Sequence, residues 1–140
     1  MVHIYSTYLG DLQCEATHTP SGVTLTTDAP EDNHGEGRSF SPTDLVATAL
    51  GTCIATIRGI QAETHDLDLD GIEISVEKEM ASNPRRIDSL KTEVTMPTAL
   101  DEPLRERLER AARHCPVDES IHPDIDVPIT FHWPETASAA

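Results

Sequence analysis

Three cysteines, at positions 14, 53 and 115, are the residues of this chain best able to do covalent chemistry. Their number is odd and their spacing wide, which does not fit a secreted disulfide framework, and no Cys-x-x-Cys pair supports a zinc ribbon or a thioredoxin-like motif. What remains for such cysteines is packing or nucleophilic chemistry. A thiol with an ordinary pKa near 8.5 is mostly protonated at neutral pH, so a reactive one needs a cation or a hydrogen-bond donor beside it. Arg38 is the only non-histidine cation upstream of Cys53, and Asp44 is an acid close to it in sequence. Arg38 is therefore the expected activator of Cys53 and Asp44 the expected holder of Arg38, while His114 adjoins Cys115. A cysteine hydrolase would want a histidine base beside the nucleophile, and none of the seven histidines shows that position by local motif.

The elements that must position these residues follow from periodicity. Ser41-Pro-Thr-Asp44 marks a helix start, with Ser41 as N-cap, Pro42 at the first helical position and Asp44 three residues on. Leu45 to Ile57 is uncharged and small or apolar on every side, so a helix over Pro42 to Ile57 is expected to be enclosed by protein. Cys53 then lies about three turns in, too far from the start for the helix dipole to activate it. Asp101 to Cys115 reads as a second, amphipathic helix with Leu104, Leu108 and Cys115 facing inward, interrupted by Pro116. The inward faces of two helices can bring Cys53 and Cys115 together.

Strands are expected over Val2 to Tyr8, Leu12 to Thr17 and Val23 to Thr27, the first of them half-buried. Cys14 falls in the second, as a small residue packed in a sheet. Asp28 to Phe40 is a loop whose spacing does not match a calcium site, so no metal is expected there. Ile72 to Glu77 and Leu90 to Met96 alternate as an antiparallel hairpin turned at Ser82-Asn-Pro-Arg-Arg86, with both arginines in a solvated turn, and Val127 to His132 forms the last strand. The order is that of an α+β protein. At 140 residues a single domain over 1–134 with a frayed polar tail at 135–140 is expected.

A net charge of −15 and a pI near 4.6 argue against nucleic acid and against an anionic membrane surface as partners. Met1-Val-His-Ile-Tyr does not read as a secretory signal, and the expected helix is too short for a bilayer, which takes roughly 20 apolar residues, so a cytoplasmic location is expected.

Three motifs together resemble the OsmC/Ohr proteins. They are the helix Ser41-Pro-Thr-Asp-Leu-Val-Ala-Thr-Ala-Leu-Gly-Thr-Cys53, Asn83-Pro-Arg-Arg-Ile87 followed by a strand ending at Met96-Pro97, and His114-Cys115-Pro116-Val117. The resemblance spans nearly the whole chain. It implies an OsmC-like fold, with strands flanking a buried central helix in an intertwined homodimer, and a thiol peroxidase acting on organic hydroperoxides. By the resemblance, Cys53 attacks the peroxide and becomes a sulfenic acid, and Cys115 condenses with it to a disulfide. An external dithiol, such as a lipoyl-protein, then reduces that disulfide without a bound cofactor. Peroxidase members of the family carry a glutamate where this chain has Thr43, and an arginine in an early loop where this chain has none. Asp44 and Arg38 are the nearest substitutes. The competing expectation is a binding or redox-sensing protein of the same fold, with a lipid-like ligand in an apolar cavity around the cysteines.

Overall fold

The computed structural model describes residues 1–135, so the tail expected at 135–140 lies, beyond Glu135, outside them. The chain divides into two compact units, Met1–Val46 and Ala47 onward. The first is an antiparallel meander of β1 (Ile4–Gly10), β2 (Gln13–His18) and β3 (Val23–Asp28), with Tyr8 opposite Cys14 and Cys14 opposite Thr27. Its first turn puts Gly10, Asp11 and Leu12 all at positive φ. β1 is not half-buried as its alternation suggests. Ile4 and Tyr8 on one face, and Tyr5 and Leu9 on the other, are all exposed in the single chain. After β3 the backbone folds tightly on itself. The amides of Gly35 and Gly37 donate to the Pro30 and Ala29 carbonyls, and a Cβ on residue 35 would sit 1.8 Å from the Ala29 oxygen. Only glycine fits there.

Helix α1 (Pro42–Thr64) starts where the sequence says it should. Ser41 Oγ accepts from the Asp44 amide at 3.1 Å and Asp44 Oδ2 accepts from the Ser41 amide at 2.9 Å, the reciprocal arrangement of a capping box. It ends later than expected, at Thr64 instead of Ile57, because Arg58, Gln61, Ala62 and Glu63 are good helix formers and Gly59 alone is not enough to break it. The stop is a Schellman motif: Asp66 takes a left-handed φ of 54° and the Leu67 amide donates to the Ala62 carbonyl at 2.8 Å.

The second unit is built on β4 (Glu73–Ala81) and β5 (Arg86–Thr95), the expected antiparallel hairpin, longer than its apolar alternation alone indicates. β6 (Ile129–His132) adds to β5 in parallel, with Val94 opposite Phe131, giving the order β4-β5-β6. Between β5 and β6 comes α2 (Glu102–Ala112), capped by Asp101, which accepts from the Leu104 amide at 3.3 Å. α2 stops at Ala112, three residues before Cys115. The amides of Arg113 and His114 tighten onto the Arg110 and Ala111 carbonyls, and Pro116 disfavours helical backbone at the residue before it.

Leu50 and Ile54 of α1, Leu90 and Val94 of β5, and Leu108 of α2 are wholly buried and form the core. α1 comes down on β4 at Gly51, where an added Cβ would lie 3.2 Å from Val76 Cγ2 and 3.5 Å from Ile74 Cγ2. At 23 residues α1 is long and apolar enough in composition to span a bilayer, so the exclusion by length fails, but its seat on β4 makes it a core helix. Nor is it enclosed all round by its own chain. Thr48, Thr52, Thr56 and Ile60 form an exposed row, with the Thr52 and Thr56 hydroxyls each donating 2.8 Å back to the carbonyl four residues earlier.

The Gly51 contact makes a direct prediction. Gly51→Val forces an isopropyl group into the α1–β4 contact and should lower stability by about 1–3 kcal/mol, as overpacking does. Urea unfolding at fixed protein concentration measures it, and an unchanged midpoint would mean that α1 does not sit on β4 this closely.

Candidate thiol site

Every fourth residue of α1 from Leu50 belongs to one buried row: Leu50, Ile54, Arg58 and Ala62. Cys53 stands one position off this row and is half-buried. Cys115 follows α2 in a tight turn, where the Glu119 amide donates to the Cys115 carbonyl at 3.0 Å and the Asp118 amide points at Cys115 Sγ from 3.4 Å. Its thiol has no exposure at all. The inward faces of α1 and the α2 turn bring the two cysteines near enough for the Cys53 thiol to act on the Cys115 thiol. Both are free thiols.

Burial pushes the Cys115 thiol up from its ordinary pKa; the Asp118 amide works against this, and the neighbouring Cys53 thiol adds to it. Burial also raises the Asp118 carboxyl, helped by Glu119 and opposed by His114 and Arg113. His114 itself is 68% exposed at its side chain and faces Glu119 Oε1 at 3.2 Å.

The group that sequence reasoning missed is Arg58. It is the largest wholly buried side chain, with one end nitrogen, Nη1, donating to Gln61 Oε1 and with Nε and Nη2 finding no partner among the described residues. Burial lowers its pKa to about 10, and the opposite charge that Cys115 can carry acts against that fall. At neutral pH it is still a cation. The signal was available in the sequence: Arg58 continues the four-residue spacing of Leu50 and Ile54, which marks an inward face and not the end of the helix.

The two residues expected to serve Cys53 are engaged otherwise. Arg38 is held by Asp28, not by Asp44: its Nε lies 2.8 Å and its backbone amide 2.9 Å from Asp28 Oδ2, with Glu36 at 3.4 Å and the Asp11 carbonyl also in reach. Asp28 is wholly buried and ten residues away, and the loop fold presents it to both the amide and the side chain of Arg38. Asp44 is turned to the Ser41 amide as the helix cap. Cys14 is half-buried in β2. A cavity of ≈310 Å³ lies along the second half of α1, between Ala55, Gly59, Ala62, Leu67, Leu69 and Ile72, and neither Cys53 nor Cys115 lines it. The apolar cavity expected around the cysteines is not this one.

The profile of the OsmC-like proteins matches residues 35–130, which contain α1, both cysteines of the site and the hairpin. The chain belongs to the OsmC-like family. A Psychrobacter arcticus 273-4 protein, provisionally assigned to an osmotic-stress-induced and detoxification response, is 42% identical over 94% of this chain and 96% of its own, with a TM-score of 0.90. The fold is shared at lower identity by an organic hydroperoxide resistance protein OsmC of Legionella pneumophila (18% identical, 94% and 96% covered, TM-score 0.76). It is shared too by the organic hydroperoxide resistance protein OhrB of Bacillus subtilis (17%, 94% and 98%, TM-score 0.68). Curated protein sequences offer no match. The α+β architecture, with two three-stranded sheets and a long core helix, is thus the OsmC-like fold.

The Arg38–Asp28 pair has a consequence that can be measured. Hydrogen bonds from Arg38 hold the Asp28 carboxyl below its usual range, so the folded chain binds that proton more weakly than the unfolded chain, whose aspartates titrate near 3.9. The stabilisation is complete above the unfolded value and lost as the pH falls through the lowered folded value. Asp28→Asn should therefore lower the amide protection factors across residues 29–39 at pH 7 and flatten their fall in acid. Equal exchange in variant and wild type would show that the pair does not hold the loop.

Proposed function

We propose that this protein reduces organic hydroperoxides with its own thiols, Cys53 as nucleophile and Cys115 as resolving thiol. The observation that carries the reading is the meeting of Cys53, half-buried on α1, with the wholly buried Cys115 in a member of the OsmC-like family. Two members of that fold bear names of organic hydroperoxide resistance. In the first step the Cys53 thiolate attacks the terminal peroxide oxygen. The O–O bond breaks, Cys53 becomes a sulfenic acid, and the departing alkoxide takes up the proton that the thiol released and leaves as the alcohol. Cys115 then attacks the Cys53 sulfur, forming the disulfide and releasing water. An external dithiol, a dihydrolipoyl group being one candidate, returns both thiols by exchange and is oxidised to its own disulfide. Burial of Cys115 suits the resolving role, since a thiol out of solvent meets only the partner beside it.

A homodimer is part of this proposal. Ile4, Tyr5, Tyr8, Leu9, Val23 and Leu25 leave the first sheet with apolar side chains in water on both faces, and the Thr48, Thr52, Thr56 and Ile60 row leaves one side of α1 uncovered. Contiguous apolar area of this kind is covered in most folded proteins. A second copy of the chain fits both, because small back-bonded threonines allow close helix approach without leaving a hydroxyl unpaired.

With tert-alkyl or lipid hydroperoxide and excess dithiol, Cys53→Ser should abolish turnover, and Cys115→Ser should allow one equivalent of peroxide to react and then stop. Wild-type protein that consumes no organic hydroperoxide with any dithiol, dihydrolipoyl protein included, would overturn the enzymatic reading. Sedimentation at low micromolar concentration should give a dimer, and a folded monomer there would refute the assembly.

A further inference from the structure

Arg58 sits where a buried thiol needs help. Its side chain is wholly buried, and among the described residues Nη1 alone has a hydrogen-bond partner, while Nε and Nη2 have no acceptor. Leaving such donors unpaired in the interior is unfavourable, and a guanidinium buried without a counter-charge is more so. The group able to become an anion beside it is Cys115, equally buried. Gln61, one turn further along α1, fixes the other end of the guanidinium through Nη1. Cys53 from α1 and the Asp118 carboxyl from its own turn disfavour the Cys115 thiolate by charge, and Arg58 is the cation with which Cys115 interacts.

We propose that Arg58 holds Cys115 as a thiolate for the resolving step, as a positioning residue that acts through Cys115. The inference rests on the two-cysteine reading above. In that step the Cys115 thiolate donates its electron pair to the Cys53 sulfenic sulfur, the S–S bond forms, the S–O bond breaks, and the departing hydroxide takes a proton to become water. Cys115 must lose its proton first. Burial opposes that loss, and a cation in the same low-dielectric interior opposes burial, with little screening between the two charges. The buried charge of Arg58 is thereby balanced when the thiolate forms. The guanidinium is thus matched to the reacting form of Cys115 and not to its resting thiol.

The test isolates thiolate attack from peroxide chemistry. Full-length protein carrying Cys14→Ser is treated with one equivalent of 5,5′-dithiobis(2-nitrobenzoate). Cys53, the more exposed thiol, takes up one thionitrobenzoate and releases another, and attack by Cys115 releases the second in a separate phase. The rate of that phase is followed from pH 5 to 10. Arg58→Met and Arg58→Gln should move its midpoint up by at least about one unit and slow it about tenfold at pH 7. Arg58→Lys, which keeps the charge, should restore much of the wild-type profile. Circular dichroism checks folding, and the glutamine variant carries the test if the methionine variant does not fold. Neutral variants with the wild-type midpoint, or a lysine variant no better than methionine, would overturn the proposal. So would a wild-type protein without a second phase. Hydroperoxide consumption by the same wild-type protein is read separately: an Arg58-dependent second phase without peroxide turnover would uphold the role of Arg58 and remove the peroxidase reading.

Discussion

One row of side chains on α1 carries both the core and the chemistry. Leu50 and Ile54 are buried, Gly51 lets the helix down onto β4, and Arg58 lies on the same side one turn on. Burying a Leu or Ile side chain contributes about 1.5–3 kcal/mol, so the hydrophobic part of the row anchors the helix and decides its rotation. Once that rotation is set, Arg58 has nowhere to go but inward, and Cys53, one position from the row, is left partly open beside the buried Cys115. The reactive arrangement follows from where the apolar residues must sit.

The electrostatics divide according to distance along the chain and depth. Arg38 has a buried carboxylate, Asp28, offered by the strand end of its own loop, and one carboxylate oxygen takes both its amide and its side chain. Asp44 has the Ser41 amide three residues back. Asp28 wins over the sequence-nearer Asp44 because the loop fold presents it to both the amide and the side chain of Arg38. Arg58 has no such local carboxylate. Its one close helical neighbour of complementary type is the neutral Gln61, so its charge is left to act on the thiol beside it.

The surface poses the reverse problem. The first sheet keeps tyrosine, leucine, isoleucine and valine side chains in solvent on both faces, although the second unit buries Leu50, Ile54, Leu90, Val94 and Leu108 completely. The net charge of −15 opposes any association not driven by specific apolar contact.

The sequence by itself determined the elements with strong local signals. The Ser41–Asp44 capping box, the β4–β5 hairpin and the inward side of Leu108 were all legible, because caps, turns and two- or four-residue spacings are local properties. So was the α+β order, and the three motifs of the resemblance identified the OsmC-like fold. Element ends were less legible: α1 runs on to Thr64 through residues with no apolar pattern, and α2 stops before Cys115 where backbone geometry, not hydrophobicity, decides. What only the tertiary structure decided was pairing. Arg38 could be matched with Asp44 on sequence distance, but a carboxylate ten residues away came nearer once the loop had folded. Arg58 read as the end of an uncharged stretch, and its burial beside Cys115 depends on α1, the sheet and the turn after α2 meeting in three dimensions. Partnership between charged groups depends on through-space distance and on depth below the surface, and neither is written in the order of residues along a chain.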